Sequence, residues 1–196
     1  DCNTVFFKDG SSKKIDAIIL CTGYLHHFPF LPDGLCLKTK NILYPDNLYM
    51  GVLWQDNPAL SYLGMQDQWY TFNMFDAQAW YVRDVIMGRI VIPDKDKRAK
   101  DNKKRREMED AIPDDYKAIE YQGEYIKDLI TKTDYPSFDI EGSNQAFFEW
   151  KKNKKKNIMT FRDKSHKSIM TGTLAPTHHT KWEHALDDSM ESFLKN

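Results

Sequence analysis

Residues 15–31, read as IDAIILCTGYLHHFPFL, constrain the fold more than any other stretch of the chain. Ala17, Ile18, Ile19 and Leu20 form an unbroken apolar run that ends at Cys21-Thr22-Gly23-Tyr24. A short run of this kind, closed by glycine, predicts a strand buried on both faces. Gly23 allows a sharp turn or the close approach of a ligand. Pro29 and Pro32 then keep the apolar segment Phe28–Pro32 extended. A buried strand that delivers a glycine turn at its C-terminal end is where open α/β sheets hold ligands. The stretch therefore predicts an α/β fold, a class in which such a strand is common property.

The rest of the chain supplies punctuation around that strand. Thr4 to Lys8 is rich in β-formers and stops at Asp9-Gly10, a turn signal. Ser11–Lys14 reads as a polar connector, and Leu35–Tyr49 as a loop. Leu48–Trp54 and Leu60–Met65 read as two strands flanking Gln55-Asp56-Asn57-Pro58. Phe72, Phe75, Ala79, Val82 and Ile86 recur at steps of three and four, which predicts a helix with that face buried. Gly88 and Pro93 stop it. Asp94–Ala111 is almost wholly charged with mixed signs, the pattern of a solvated helix or an exposed linker. Tyr116–Lys132 is amphipathic through Tyr116, Ile119, Ile126, Leu129 and Ile130, with Gly123 a mild weakness. Ser143 is placed to cap a helix carrying Phe147 and Trp150. The basic run Lys151–Lys156 would complement that helix's C-terminal dipole rather than bind phosphate. Thr180-Lys181-Trp182-Glu183 is a capping-box pattern before a last helix.

Composition narrows the functions. Hydrophobic residues make up 41% of 196 and aromatics 13%, enough for a core, and the formal net charge is -1. Near neutrality, with acids interleaved among the bases, there is no electrostatic footprint for nucleic acid or an anionic membrane. No apolar run approaches a membrane span. The three cysteines, Cys2, Cys21 and Cys36, are odd in number and lack CxxC spacing. That favours a reducing, cytoplasmic setting over a disulfide frame. His26 with His27, and His178, His179 and His184, have no carboxylate or thiol at ligand spacing, so no metal site is expected. The chain begins without methionine and in mid-pattern, which reads as a fragment.

The run Cys21-Thr22-Gly23-Tyr24, followed by His26-His27-Phe28-Pro29-Phe30-Leu31, resembles the threonine-glycine-tyrosine motif of the flavin-containing monooxygenases. In that family it sits where the NADPH domain hands the chain back to the FAD domain. Gly64–Asp84, Thr133–Ile140, Asn157–Asp163 and Met170–Thr180 resemble the bacterial branch, the trimethylamine monooxygenases. The resemblance implies the incomplete C-terminal part of a flavoprotein with two Rossmann-like dinucleotide-binding domains. Residues 1–28 would end the NADPH domain, and residues 29–196 would form the C-terminal half of the FAD domain with a C-terminal helical region. The implied cofactors are FAD and NADPH. The implied partners are a small amine and dioxygen, with a homodimer as the intact assembly and neither nucleic acid nor membrane as a partner. The implied reaction oxygenates trimethylamine to its N-oxide through a hydroperoxyflavin.

The same resemblance assigns residues. It places Gln68 and Thr71, ahead of the Phe72 helix, against polar atoms of the flavin, since a helix N-terminus offers free N–H groups and partial positive charge. Capping and packing would be the alternative for that segment. It carries Arg162 to NADP, where a guanidinium fork suits phosphate; a structural pair with Asp163 is the alternative. No catalytic residue is assigned, because the cofactor performs this kind of chemistry. The fingerprint GxGxxG occurs nowhere in the chain, so this chain alone should be inactive. Another two-dinucleotide flavoprotein, of Baeyer–Villiger or disulfide-reductase type, and a non-enzymatic binding module through the Lys-rich runs are the competing readings.

Overall fold

The computed structural model describes residues 3–23, 25–37, 42–162, 165–168 and 171–174. They divide into two compact units, residues 1–38 and 39–196. In the first unit, β1 (Thr4–Phe6) and β2 (Ser12–Lys14) form an antiparallel hairpin with Val5 opposite Lys13. Asp9 tightens the turn by accepting from the Ser11 N–H and hydroxyl at 2.9 and 2.7 Å. The polar connector expected at Ser11–Lys14 is thus mostly the hairpin's return strand.

The strand expected after it is not formed. Ile18, Ile19 and Leu20 are 68%, 86% and 78% exposed, and residues 17–20 join no ladder. The physical reason is that a parallel-sheet strand is buried by neighbouring strands and covering helices, and the described residues of the first unit supply no such neighbours. Nor does any parallel pairing occur there: the two sheets are two-stranded antiparallel hairpins, and the rest is largely helical.

The second unit is built on α1 (Phe72–Ile86), α2 (Lys95–Asp110), α3 (Asp115–Ile130) and α4 (Ile140–Lys156). The α3 helix forms the centre, packing on α1 and on α4. Ile119, Ile126 and Leu129 are wholly buried, each burial stabilising by about 1.5–3 kcal/mol. Asp114 caps α3 by accepting from Lys117 N–H, and Asp139 caps α4 by accepting from Gly142 N–H. Ser143, the expected cap of α4, instead lies inside its first turn with its hydroxyl on the Asp139 carbonyl.

The buried face of α1 differs from the expected one. Met74, Ala77, Gln78, Tyr81 and Val82 face the core, while Phe72 and Ile86 are 77% and 78% exposed. The two stripes lie about a third of a turn apart on a 3.6-residue helix. Counting apolar residues favoured the outer one because the inner one includes Gln78. Gly123, read as a helix weakness, is a close-approach site. A Cβ there would lie 3.0 Å from Asn144 Oδ1, Ile140 Cγ2 and the Tyr70 hydroxyl.

Leu48–Trp54 folds back on itself as a hairpin, β3 (Leu48–Tyr49) and β4 (Leu53–Trp54). Met50 and Gly51 turn it with φ of 52° and 68°. At Gly51 a Cβ would meet the Leu43 carbonyl oxygen at 2.5 Å, so glycine is required on steric and conformational grounds. Of the second expected strand, 60–65, only Ser61 pairs, as a bridge to Leu53.

The charged segment resolves as the helix α2, capped by Asp94. Its inward stripe is polar: Arg98, Asn102, Arg105 and Glu109, spaced four, three and four. Arg98 donates to the Gln55 and Pro93 carbonyls, Asn102 to the Pro45 carbonyl, and Arg105 to the Tyr44 hydroxyl. Glu109 accepts from Leu43 and Tyr44 N–H at 2.7 and 3.1 Å. Hydrogen bonds to residues 43–55 thus dominate the attachment of α2.

Candidate functional site

The segment Gly64–Thr71, ahead of α1, has neither helix nor strand of its own, so side chains from other elements must hold it. At its upstream end the Gly64 N–H donates to Gln78 Oε1 at 2.9 Å. Gln78 Nε2 in turn donates to Gln66 Oε1 at 2.9 Å and to the Tyr125 hydroxyl at 3.0 Å. Gln66 Nε2 reaches the Gly51 carbonyl at 2.5 Å, and Tyr125 donates to the Met50 carbonyl at 3.0 Å. This buried amide network ties the segment to the β3–β4 turn, α1 and α3. Midway, Gln122 of α3 accepts from Trp69 N–H at 2.7 Å and donates to the Asp67 carbonyl at 3.1 Å. At the downstream end the Tyr70 hydroxyl hydrogen-bonds with the Ile140 carbonyl and with Asn144 on α4, its one proton shared between them.

Gln68 and Thr71 emerge from this framework. The Oε1 of Gln68 is buried with no hydrogen-bond partner among the described residues. A buried carbonyl oxygen left unpaired costs about 1–3 kcal/mol, so the position suits a donor from a bound group. Thr71 is exposed and holds φ at 42°, an unfavourable conformation for a β-branched residue. No side chain caps α1 at this end, and the Thr71 hydroxyl makes only a long contact of 3.5 Å to the Trp69 carbonyl. An uncapped helix start beside an unpaired buried acceptor fits the polar edge of a flavin ring.

Arg162 lies elsewhere in the same unit but is connected to this segment by rings. Trp69 meets Trp150 edge-on at 5.8 Å, Trp150 meets Phe161 at 5.0 Å, and the Arg162 guanidinium sits 4.6 Å from the Phe161 ring centroid. Phe161 is buried and Arg162 exposed. Lys154 lies over the same Trp150 and Phe161 rings, at 5.1 and 6.0 Å. Lys154, near the end of α4, therefore shares the Phe161 ring with Arg162. Asp163, its alternative partner, lies outside the described residues, as do Tyr24, the three C-terminal histidines and the capping-box pattern at 180–183.

Burial pushes the Tyr70 and Tyr125 hydroxyls above the ordinary phenol range, so both remain protonated donors at neutral pH. Tyr135 and Phe138, in the aromatic loop before α4, pack on Trp80 and Tyr70, which backs the segment from within the unit. The groups that hold Gly64–Thr71 in place are chiefly amides, hydroxyls and rings, with the Lys151 ammonium 5.9 Å over the Trp69 ring. Sequence reasoning missed Gln66, Gln78 and Gln122. The available signal was three glutamines at inward helix or loop positions amid apolar residues.

No helix among the described residues is long and apolar enough to cross a membrane. Similarity to known proteins covers nearly the whole chain. It is 63% identical over 194 residues to a trimethylamine monooxygenase of Roseovarius sp. (strain 217), covering 99% of this chain and 44% of that protein. It is 61% identical over 195 residues to a trimethylamine monooxygenase of Roseovarius nubinhibens, covering 98% and 43%. A crystal structure of Tmm from Pelagibacter sp. strain HTCC7211 superposes with a TM-score of 0.88 at 52% identity, covering 97% of this chain and 43% of that one. The chain thus spans less than half the length of the relatives it matches. The family model for flavin-binding monooxygenase-like proteins matches residues 1–135, more than half of the sequence, and the chain belongs to that family.

Proposed function

We propose that the chain is the C-terminal portion of an NADPH- and FAD-dependent monooxygenase that oxygenates small tertiary amines, trimethylamine above all. The observation that carries this reading is identity of 61–63% to trimethylamine monooxygenases across 98–99% of the chain. In the proposed protein, residues 1–28 end the NADPH-binding domain and residues 29–196 complete the FAD-binding domain. The neighbours that would bury Ile18–Leu20 then come from the part of the relatives' length that this chain does not span. The homodimer and the cytoplasmic setting belong to the same reading and rest on the resemblance and on cysteine usage.

When bound, FAD reduced by NADPH supplies the oxygen chemistry: one atom of dioxygen goes to the amine nitrogen and the other leaves as water. The chain's own residues bind and orient. Gln68 Oε1 would accept a hydrogen bond from the flavin, Thr71 would offer its hydroxyl, and the start of α1 would add partial positive charge beside it. Arg162, exposed and stacked on Phe161, would hold a phosphate of NADP.

The test uses the full-length protein with NADPH and trimethylamine. Formation of trimethylamine N-oxide, one molecule per NADPH oxidised, is the expected result. Oxygen insertion into ketones, or NADPH-driven disulfide reduction, with no N-oxide formed would overturn it.

A further inference from the structure

We propose that Gln122 is a positioning residue for the flavin-facing Gln68, an inference that rests on the flavin reading above. One side-chain amide engages the backbone on both sides of Gln68: its Nε2 takes the carbonyl of Asp67 at 3.1 Å and its Oε1 takes the N–H of Trp69 at 2.7 Å. Holding the groups at i−1 and i+1 fixes both peptide planes that flank Gln68, and with them the direction of its Cα–Cβ bond. The segment has no regular structure to do this. The Gln68 carboxamide oxygen, lacking a hydrogen-bond partner among the described residues, does not anchor the side chain from its tip. Gln122 is itself 8% exposed and sits in the middle of α3, beside Gly123, whose missing Cβ lets Tyr70 and α4 close over the same spot. The clamp is therefore mounted on the central helix of the unit rather than on a loop.

Chemistry makes the role specific. A carboxamide offers one acceptor and one donor at this reach. Gln122→Glu would keep the bond from Trp69 and lose the donor to Asp67, and Gln122→Leu would lose both while conserving shape.

The experiment measures FAD affinity by reconstituting the full-length apoprotein of wild type, Gln122→Leu, Gln122→Glu and Gln68→Ala, and of the two double variants. Protection of the Trp69 amide against hydrogen exchange is followed in the same apoproteins. Gln122→Leu is expected to weaken FAD roughly tenfold, the loss of about one buried hydrogen bond's differential. Gln122→Glu should fall between it and wild type. In the Gln68→Ala background, neither Gln122 change should weaken FAD further, because the group it positions is gone. Trp69 protection should fall in Gln122→Leu and be largely kept in Gln122→Glu. If Gln68→Ala weakens FAD but the Gln122 variants do not, or the losses simply add, the positioning role is overturned while the flavin reading stands. If Gln68→Ala leaves FAD affinity unchanged, the flavin reading of Gln68 fails and the proposal fails with it. Should Gln122→Leu not fold, Gln122→Glu with and without Gln68→Ala decides by the same non-additivity.

Discussion

Replacing Gly123 by alanine sets two calculable effects against each other. In the middle of a helix, glycine is about 0.8–1.0 kcal/mol less favourable than alanine, so propensity alone would make the variant more stable. The structure opposes this, because the added methyl would sit 3.0 Å from atoms of Asn144, Ile140 and Tyr70 at once. Asn144 and Ile140 belong to α4 and Tyr70 to the segment ahead of α1, and the Tyr70 hydroxyl joins them by sharing its one proton between the Ile140 carbonyl and Asn144. A single flexible tip could swing away, but three side chains that pack on one another have less room to yield. Overpacking of that kind costs about 1–3 kcal/mol. The balance is a net loss of about 1 kcal/mol, a shift of only about 1–2 °C in the melting temperature of a full-length protein as long as the relatives, of which this chain covers 44%. The assay is thermal unfolding of the full-length protein, comparing Gly123→Ala, Tyr70→Phe and the double variant. Removing the hydroxyl frees one of the three contacts, so the double variant should be more stable than the sum of the single losses allows. A raised melting temperature in Gly123→Ala would refute the close approach and return Gly123 to a plain helix weakness.

Three further outcomes are expected. Arg162→Ala should weaken NADPH roughly ten- to a hundredfold, the loss of a charge-assisted contact of about 1.5–3 kcal/mol. Its ring contact is exposed and worth only about 0.5–1 kcal/mol, so a lowered melting point with unchanged NADPH affinity would end the cofactor role. The Asp128 carboxylate is partly buried, which raises its pKa, but hydrogen bonds from Lys132 and Arg105 and their charges outweigh that and hold it below 3.8. Its stabilisation is therefore present above about pH 3.8 and lost as pH falls through the lower folded value. The melting-temperature gap between wild type and Asp128→Asn should shrink on acidification, and a gap independent of pH would contradict this ion group. Residues 1–196 purified alone should carry no FAD, lacking any glycine fingerprint, and should self-associate through Ile18, Ile19, Leu20, Phe72 and Ile86, all strongly exposed. A monomeric, flavin-loaded preparation would contradict both points.

Hydrophobic period made α1 and α3 legible in the sequence, and Gly88 marked a real boundary. What it hid has a common cause. The inward face of α1 centres on Gln78, and that of α2 on Arg98, Asn102, Arg105 and Glu109, so polar side chains stand where pattern reading expects apolar ones. The buried strand at Ile18–Leu20 failed for a different reason: burial in a sheet depends on neighbours that the described residues of the first unit do not provide. Gln68 and Thr71 came from family resemblance. The structure adds why such a segment holds its shape, through Gln66, Gln78 and Gln122. Those contacts span 12 to 55 positions in sequence, a range at which residue spacing carries no signal.

The central claim, that the segment ahead of α1 faces a flavin through Gln68, is tested most directly by flavin content. The ratio of flavin to protein absorbance is measured in purified full-length wild type and Gln68→Ala, with both checked for equal melting temperature after FAD is stripped. A clearly lower ratio in Gln68→Ala, with unchanged apoprotein stability, is the expected result. An equal ratio would contradict the claim and leave Gln68 as a residue of packing alone.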